Sequence, residues 1–175
     1  MDYFVSQIVG NPIDPENYKR LRLKKIIESN CAETVSNEYV FQYNHPDENG
    51  FLYKMPYKLS YSQDHWGYFN GKNNTNLIPS GYTSCGTADR EPDAAYAQVG
   101  VLKKITYPTG GETLFDYELH DYTDQLGQLK YAGGLRVKTI TSKGGYSAPD
   151  KVRNYEYKNN SNNSSGLLLS PLIYS

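Results

Sequence analysis

Three histidines are the side chains best suited to moving protons near neutral pH, and each stands beside a distinctive neighbour. His65 lies between Asp64 and Trp66, His45 precedes Pro46 and Asp47, and His120 precedes Asp121. General acid–base catalysis needs a second group within hydrogen-bond reach, in a pocket that tunes its pKa. Neighbouring residues of a strand project to opposite faces, so Asp64 and His65 do not make a dyad by adjacency. No serine sits in a Gly-x-Ser-x-Gly elbow, and neither Cys31 nor Cys85 has a catalytic context. A hydrolase would have to be assembled around His65 or His120 from carboxylates distant in sequence. The pattern assigns no catalytic residue, and the histidines read as surface or packing groups.

Other chemistry-bearing clusters also have plain alternatives. Asp47, Glu48 and Asn49 offer oxygen ligands of the kind calcium prefers, but the later bidentate glutamate of an EF-hand loop is missing. With Gly50 they read as a turn. The two cysteines match no metal spacing and leave two alternatives open, one disulfide or two free buried thiols. No metal or cofactor is expected. Trp66, Tyr68 and Phe69 could stack on sugar rings while Asp64, Asn70 and Asn73 bond their hydroxyls. The candidate ligand-binding residues are therefore Asp64, Trp66 and Tyr68, and the ligand a glycan. The competing reading makes Trp66 a packing residue with Gly67 at a tight corner, which a lone tryptophan among 18 tyrosines favours. The pairs Gly110–Gly111, Gly133–Gly134 and Gly144–Gly145 precede no helix, so they read as turns and not as phosphate loops.

The elements that must position these residues are strands. Short runs alternate with period two and are rich in β-branched and aromatic residues, and no long stretch carries helical spacing. Tyr39, Phe41 and Tyr43 share one face of a run, Phe115, Tyr117 and Leu119 another, and Tyr155 and Tyr157 a third. An internal repeat organises them: a basic strand, a turn, then a strand ending in aromatic-x-Tyr. Its copies start at Leu21–Ile27, Val101–Tyr107 and Leu135–Thr141, giving hairpins near 20–44, 99–119 and 134–158. Pro108 and Gly110 supply the reversal of the second copy. Lys103, Lys104, Arg136 and Lys138 can face Asp116, Glu118 and Glu156 across strands.

Between the first two copies lies an irregular insertion, residues 45–98, with a strand expected at Leu52–Tyr61. Residues 1–158 read as a single β domain. Residues 159–175 read as a flexible Asn/Ser linker with a short apolar tail. The 175 residues suffice for one ordinary domain, and Leu, Ile, Val and Phe make up only about a fifth of them. The 18 tyrosines bury rings while keeping hydroxyls wet, so part of the interior is expected to be aromatic. Lys and Arg (18) balance Asp and Glu (19), so no net field favours nucleic acid. No apolar run is long enough to cross a bilayer, and the first residues are not a signal peptide as written.

Val101–Glu118 resembles the tyrosine–aspartate (YD) repeat of Rhs-like proteins, roughly apolar-x-x-Ile-x-Tyr-Pro-x-Gly-Gly followed by Tyr-x-Tyr-Asp. Phe115 and Tyr117 occupy the ring positions, with Asp116 between them instead of after them. Gly133–Ile140 with Tyr155–Tyr157 is similar to a more divergent unit, and Tyr61–Gly71 to a segment of surface-anchored or secreted YD-containing bacterial proteins. The resemblance implies a structural role: hairpins pair side by side into a sheet that coils into a shell, without catalytic residues. About three units are too few to close a shell.

The expected fold is all-β, antiparallel hairpin repeats in one twisted sheet or a two-sheet stack, a partial YD-shell. The expected function is a non-enzymatic structural segment of a larger Rhs-like protein, with adjacent repeats as partners. Cell-surface or secreted localisation follows from the resemblance alone. Tyr39, Phe41, Tyr43, Phe115, Tyr117, Tyr155 and Tyr157 are expected as core or inter-repeat contacts. A carbohydrate-binding module and a His-based hydrolase are the rival readings.

Overall fold

A computed structural model describes residues 3–5, 19–31, 36–46, 53–144, 148–161 and 163–168. Six strands form one sheet in strictly sequential order: β3 (Lys25–Ser29), β4 (Ser36–Tyr43), β5 (Leu102–Thr106), β6 (Glu112–Thr123), β7 (Leu129–Lys143) and β8 (Lys151–Asn154). β1 (Tyr3–Val5) and β2 (Lys19–Leu21) pair antiparallel in a separate two-stranded sheet. A short helix, α1 (Ala94–Ala97), is a single turn capped by Asp93, whose carboxylate accepts the Ala95 and Tyr96 amides. The protein is mostly β, as its alternating apolar pattern dictates.

The register follows cross-strand chemistry. Ile26 pairs with Tyr39 and Ile27 with Glu38, and β4 continues onto β5 with Val40 opposite Thr106 and Phe41 opposite Ile105. A bulge at Gln42/Tyr43 shifts the register there. Charged pairs lace the surface: Lys103 to Asp116 and Lys104 to Glu112, each at 2.6 Å, and Lys25 to Glu38 at 3.1 Å. Asp116 thus meets a lysine anticipated from the sequence, while Lys104 takes Glu112.

The chain divides into two compact units. One comprises Met1–Tyr57, Val99–Asp116 and Val137–Asn154, the other Lys58–Gln98, Tyr117–Arg136 and Tyr155–Ser175. Ala88, Val99 and Leu119 are the buried apolar residues among those described. Both edge strands, β3 and β8, are exposed at every position.

Several sequence expectations change. Among the described residues of 52–61 there is no strand, only turn and coil. The third hairpin stops at Asn154, opposite Thr139, so Tyr155 and Tyr157 lie beyond the strand. Gly133–Gly134 is not a turn: it sits inside β7. Cys31 and Cys85 are both free and both exposed, so neither cysteine alternative is realised. The oxygen cluster at 47–50, Gly145 and the tail beyond residue 168 lie outside the described residues.

Candidate functional site

The Asp64–His65–Trp66–Gly67–Tyr68 segment is shaped by the first of these residues. Asp64 Oδ1 accepts the amides of Trp66 and Tyr68, both at 2.9 Å. Its own amide donates to the Tyr68 carbonyl at 2.8 Å, and the Gly67 amide returns to the Asp64 carbonyl at 3.1 Å. The side chain therefore stands in for backbone partners and closes a five-residue turn. Gly67 occupies its left-handed position at φ 90°. Gln63 and Phe69 bridge across the base of the turn.

Behind that turn lies a polar interior. Asn70 is fully buried, donating from Nδ2 to the carbonyls of Asp89 and Glu91 at 3.0 and 3.1 Å and accepting the Lys72 amide at 3.2 Å. Asn74 bonds the Tyr61 and Asp89 carbonyls and accepts the Asp89 amide. Arg90, 8% exposed, spans the segment by donating from Nε to the Asp64 carbonyl at 3.0 Å and from Nη1 to the Leu77 carbonyl at 2.6 Å. The Phe69 and Tyr96 rings meet edge to face at 5.3 Å.

The three candidate ligand-binding residues occupy different settings. Asp64 is 1% exposed, with its carboxylate facing inward. Trp66 is half-buried, its Cβ against the backbone of Gly133. Tyr68 is 49% exposed, its ring resting on Gly134. A Cβ at Gly133 would lie 2.5 Å from Asp64 Oδ2 and 2.8 Å from Trp66 Cβ, which explains the glycines in mid-strand. Asn70 is enclosed, and Asn73 is exposed.

His65 packs edge to face on Trp66 at 5.8 Å, and its Nε2 lies 4.0 Å from Glu91 Oε1, outside hydrogen-bond range. Burial pushes its imidazole below the ordinary histidine value although Glu91 pulls it upward. His45 is buried and His120 exposed. Among the described residues no group of three His, Cys, Asp or Glu side chains gathers to hold a metal ion.

A second polar centre lies on β6 and β7. Arg136 donates to Glu118 at 2.8 Å and to both oxygens of Asp121 at 3.0 and 2.8 Å, with its guanidinium 4.3 Å from the centre of the Tyr157 ring. The Ser164 hydroxyl donates to Asp121 as well. Burial pulls the Asp121 carboxyl upward, but Ser164 and Arg136 together hold it below the usual range. Tyr157, beyond the end of β8, lies against Arg136.

Sequence reasoning missed one recurrence. Asp124 Oδ1 accepts the Leu126 and Gln128 amides, and Asn159 Oδ1 accepts those of Ser161 and Asn163. Each residue also donates its own amide to the carbonyl four residues on, as Asp64 does. The spacing Asp-x-x-Gly at 64–67 and 124–127 is visible in the sequence and marks two of the three turns. The third falls in the Asn/Ser stretch, where Lys158 and Ser164 bridge antiparallel.

Comparison with family models, with curated proteins and with solved structures finds no match for this chain.

Proposed function

We propose that the chain is a non-enzymatic sheet segment of a larger YD-repeat (Rhs-like) surface or secreted protein. Its hairpins add side by side to those of adjacent repeats. One observation carries the reading: among the described residues, the six-stranded sheet ends in two edge strands, β3 and β8, each with a single neighbour and exposed throughout. Ile26, Ile27 and Val152 on those strands are 43%, 51% and 54% exposed. Unpaired edges bearing β-branched residues are templates for further strand pairing. The sequential strand order, three hairpins in a row, and the recurring Asx-capped turn support the same reading.

The test is the size of the purified chain over a concentration series, by size-exclusion chromatography. The proposal expects association that increases with concentration and is lost in Ile27→Lys/Val152→Lys. A monomer at every concentration with a sharp cooperative melt would overturn it.

A glycan-binding role keeps one supporting observation, the half-exposed Tyr68 ring beside Trp66. In that reading the two rings stack on sugar and Asp64 serves by shaping the turn. Titration of Trp66 fluorescence with soluble polysaccharides tests it: a saturable shift lost in Tyr68→Ala supports binding, and an unresponsive Trp66 removes it.

A further inference from the structure

The 58–98 segment holds one buried ionisable oxygen that its turn does not use. Asp64 Oδ1 takes both turn amides, whereas Oδ2 has no hydrogen-bond partner among the described residues. The opposing strand offers it only backbone, since the Cβ position of Gly133 lies 2.5 Å from Oδ2. The charged groups around it are engaged elsewhere. Arg90 directs its guanidinium to the carbonyls of Asp64 and Leu77, and not to the carboxylate. His65 faces Glu91, Lys72 pairs with Asp89 at 3.1 Å, and the Tyr68 phenol lies over Gly134. On β7, Lys130 and Arg136 flank the glycines, and Arg136 is held by Glu118 and Asp121.

A buried ionised oxygen without a donor costs far more than its neutral counterpart. We propose that Asp64 is a proton-binding site built into this segment: a solvent proton taken up on Oδ2 leaves the Oδ1 cap intact and tightens the turn against β7. Burial raises the carboxyl above the ordinary aspartate value, while the Tyr68 and Trp66 amides, His65 and Arg90 pull it back. A raised folded value gives stability that is fully present below the unfolded value and is lost as pH rises through the folded one. His65 acts with the opposite sign: its lowered value gives stability present above the unfolded value and lost on acidification.

The sole tryptophan, Trp66, reports on this segment by fluorescence. The experiment compares thermal unfolding of the full chain with that of Asp64→Asn from about pH 7 down to about pH 3.5, below the ordinary aspartate value. The variant keeps the capping oxygen, as Asn159 does in its own turn. Relative to the variant, the wild-type midpoint is expected to rise by about 3 °C on acidification. Parallel pH profiles would overturn the proposal. Should the variant fail to fold, the wild-type Asp64 carboxyl ¹³C shift decides instead. A titration midpoint above the ordinary aspartate range, about 3.9, supports the site, and one at or below it overturns the proposal.

Discussion

The sheet of β3–β8 and the 58–98 segment solve the same problem by opposite means. In the sheet, backbone groups pair with backbone groups, and side chains contribute only through register and surface charge. Within 58–98, backbone groups are satisfied largely by side chains: Asp64, Asn70, Asn74, Asn76, Asp89, Arg90 and Asp93 each bond main-chain atoms. A ladder spreads its stability over many equivalent bonds, so no single side chain decides it. A loop held by named side chains concentrates stability at a few positions, because removing one leaves buried partners unsatisfied. Away from the Arg136 centre and the glycines of β7 that the loop presses on, the sheet should therefore tolerate substitution where the loop does not.

The sharpest way to break the contrast is Asn70→Ala. It abandons the carbonyls of Asp89 and Glu91 and the Lys72 amide, at a cost of about 3 kcal/mol read from Trp66 fluorescence in denaturant. A loss below about 0.5 kcal/mol would place Asn70 among ordinary surface positions and end the distinction. Next comes Gly133→Ala, whose methyl would meet both Asp64 and Trp66. It should cost about 2 kcal/mol, while alanine at Gly110, with nothing within 4 Å, meets no clash and is strained only by its φ of 80°.

Arg136→Ala should cost about 2 kcal/mol, since it leaves Asp121 with only its Ser164 hydroxyl donor and uncovers Tyr157. It should also change the acid limb of stability. Asp121 and Glu112 both lie below their ordinary values when folded, Glu112 chiefly through its bond to Lys104. Depressed carboxyls give stability present above the unfolded value and lost as pH falls through the folded one. Acid unfolding below about pH 4 should therefore be shallower in Arg136→Ala, and an unchanged limb would assign it to other groups. The smallest effect is expected at Glu38→Ala, which removes only the exposed pair with Lys25. The two side chains are 45% and 49% exposed, so the loss should stay under about 0.5 kcal/mol in a denaturant melt.

What could be read from the residues divides along the same line. Tyr39–Phe41–Tyr43 and Phe115–Tyr117–Leu119 announce strands because period-two alternation is a local signal, and β4 and β6 contain those runs. The cross-strand ion pair of Lys103 with Asp116 followed from the same logic. The loop was not legible in that way. Nothing local says that Asn70 is enclosed or that Arg90 reaches back to Asp64, because each depends on contacts distant in sequence. Gly133–Gly134 carries the usual mark of a turn, yet it lies in β7 because Trp66 and Tyr68 press on it. The candidate residues Asp64, Trp66 and Tyr68 do adjoin one another around those glycines. Their common feature was the Asp-x-x-Gly spacing, whose recurrence at 124–127 points to turn chemistry first.

The central claim is that β3 and β8 are edges made to be paired, and amide hydrogen exchange across a concentration series tests it most directly. The account predicts that protection of Lys25–Ser29 and Lys151–Asn154 grows with protein concentration, while that of Leu102–Thr106, already paired on both sides, stays constant. Edge amides that exchange at the same rate at every concentration, in a chain that remains monomeric, would contradict it.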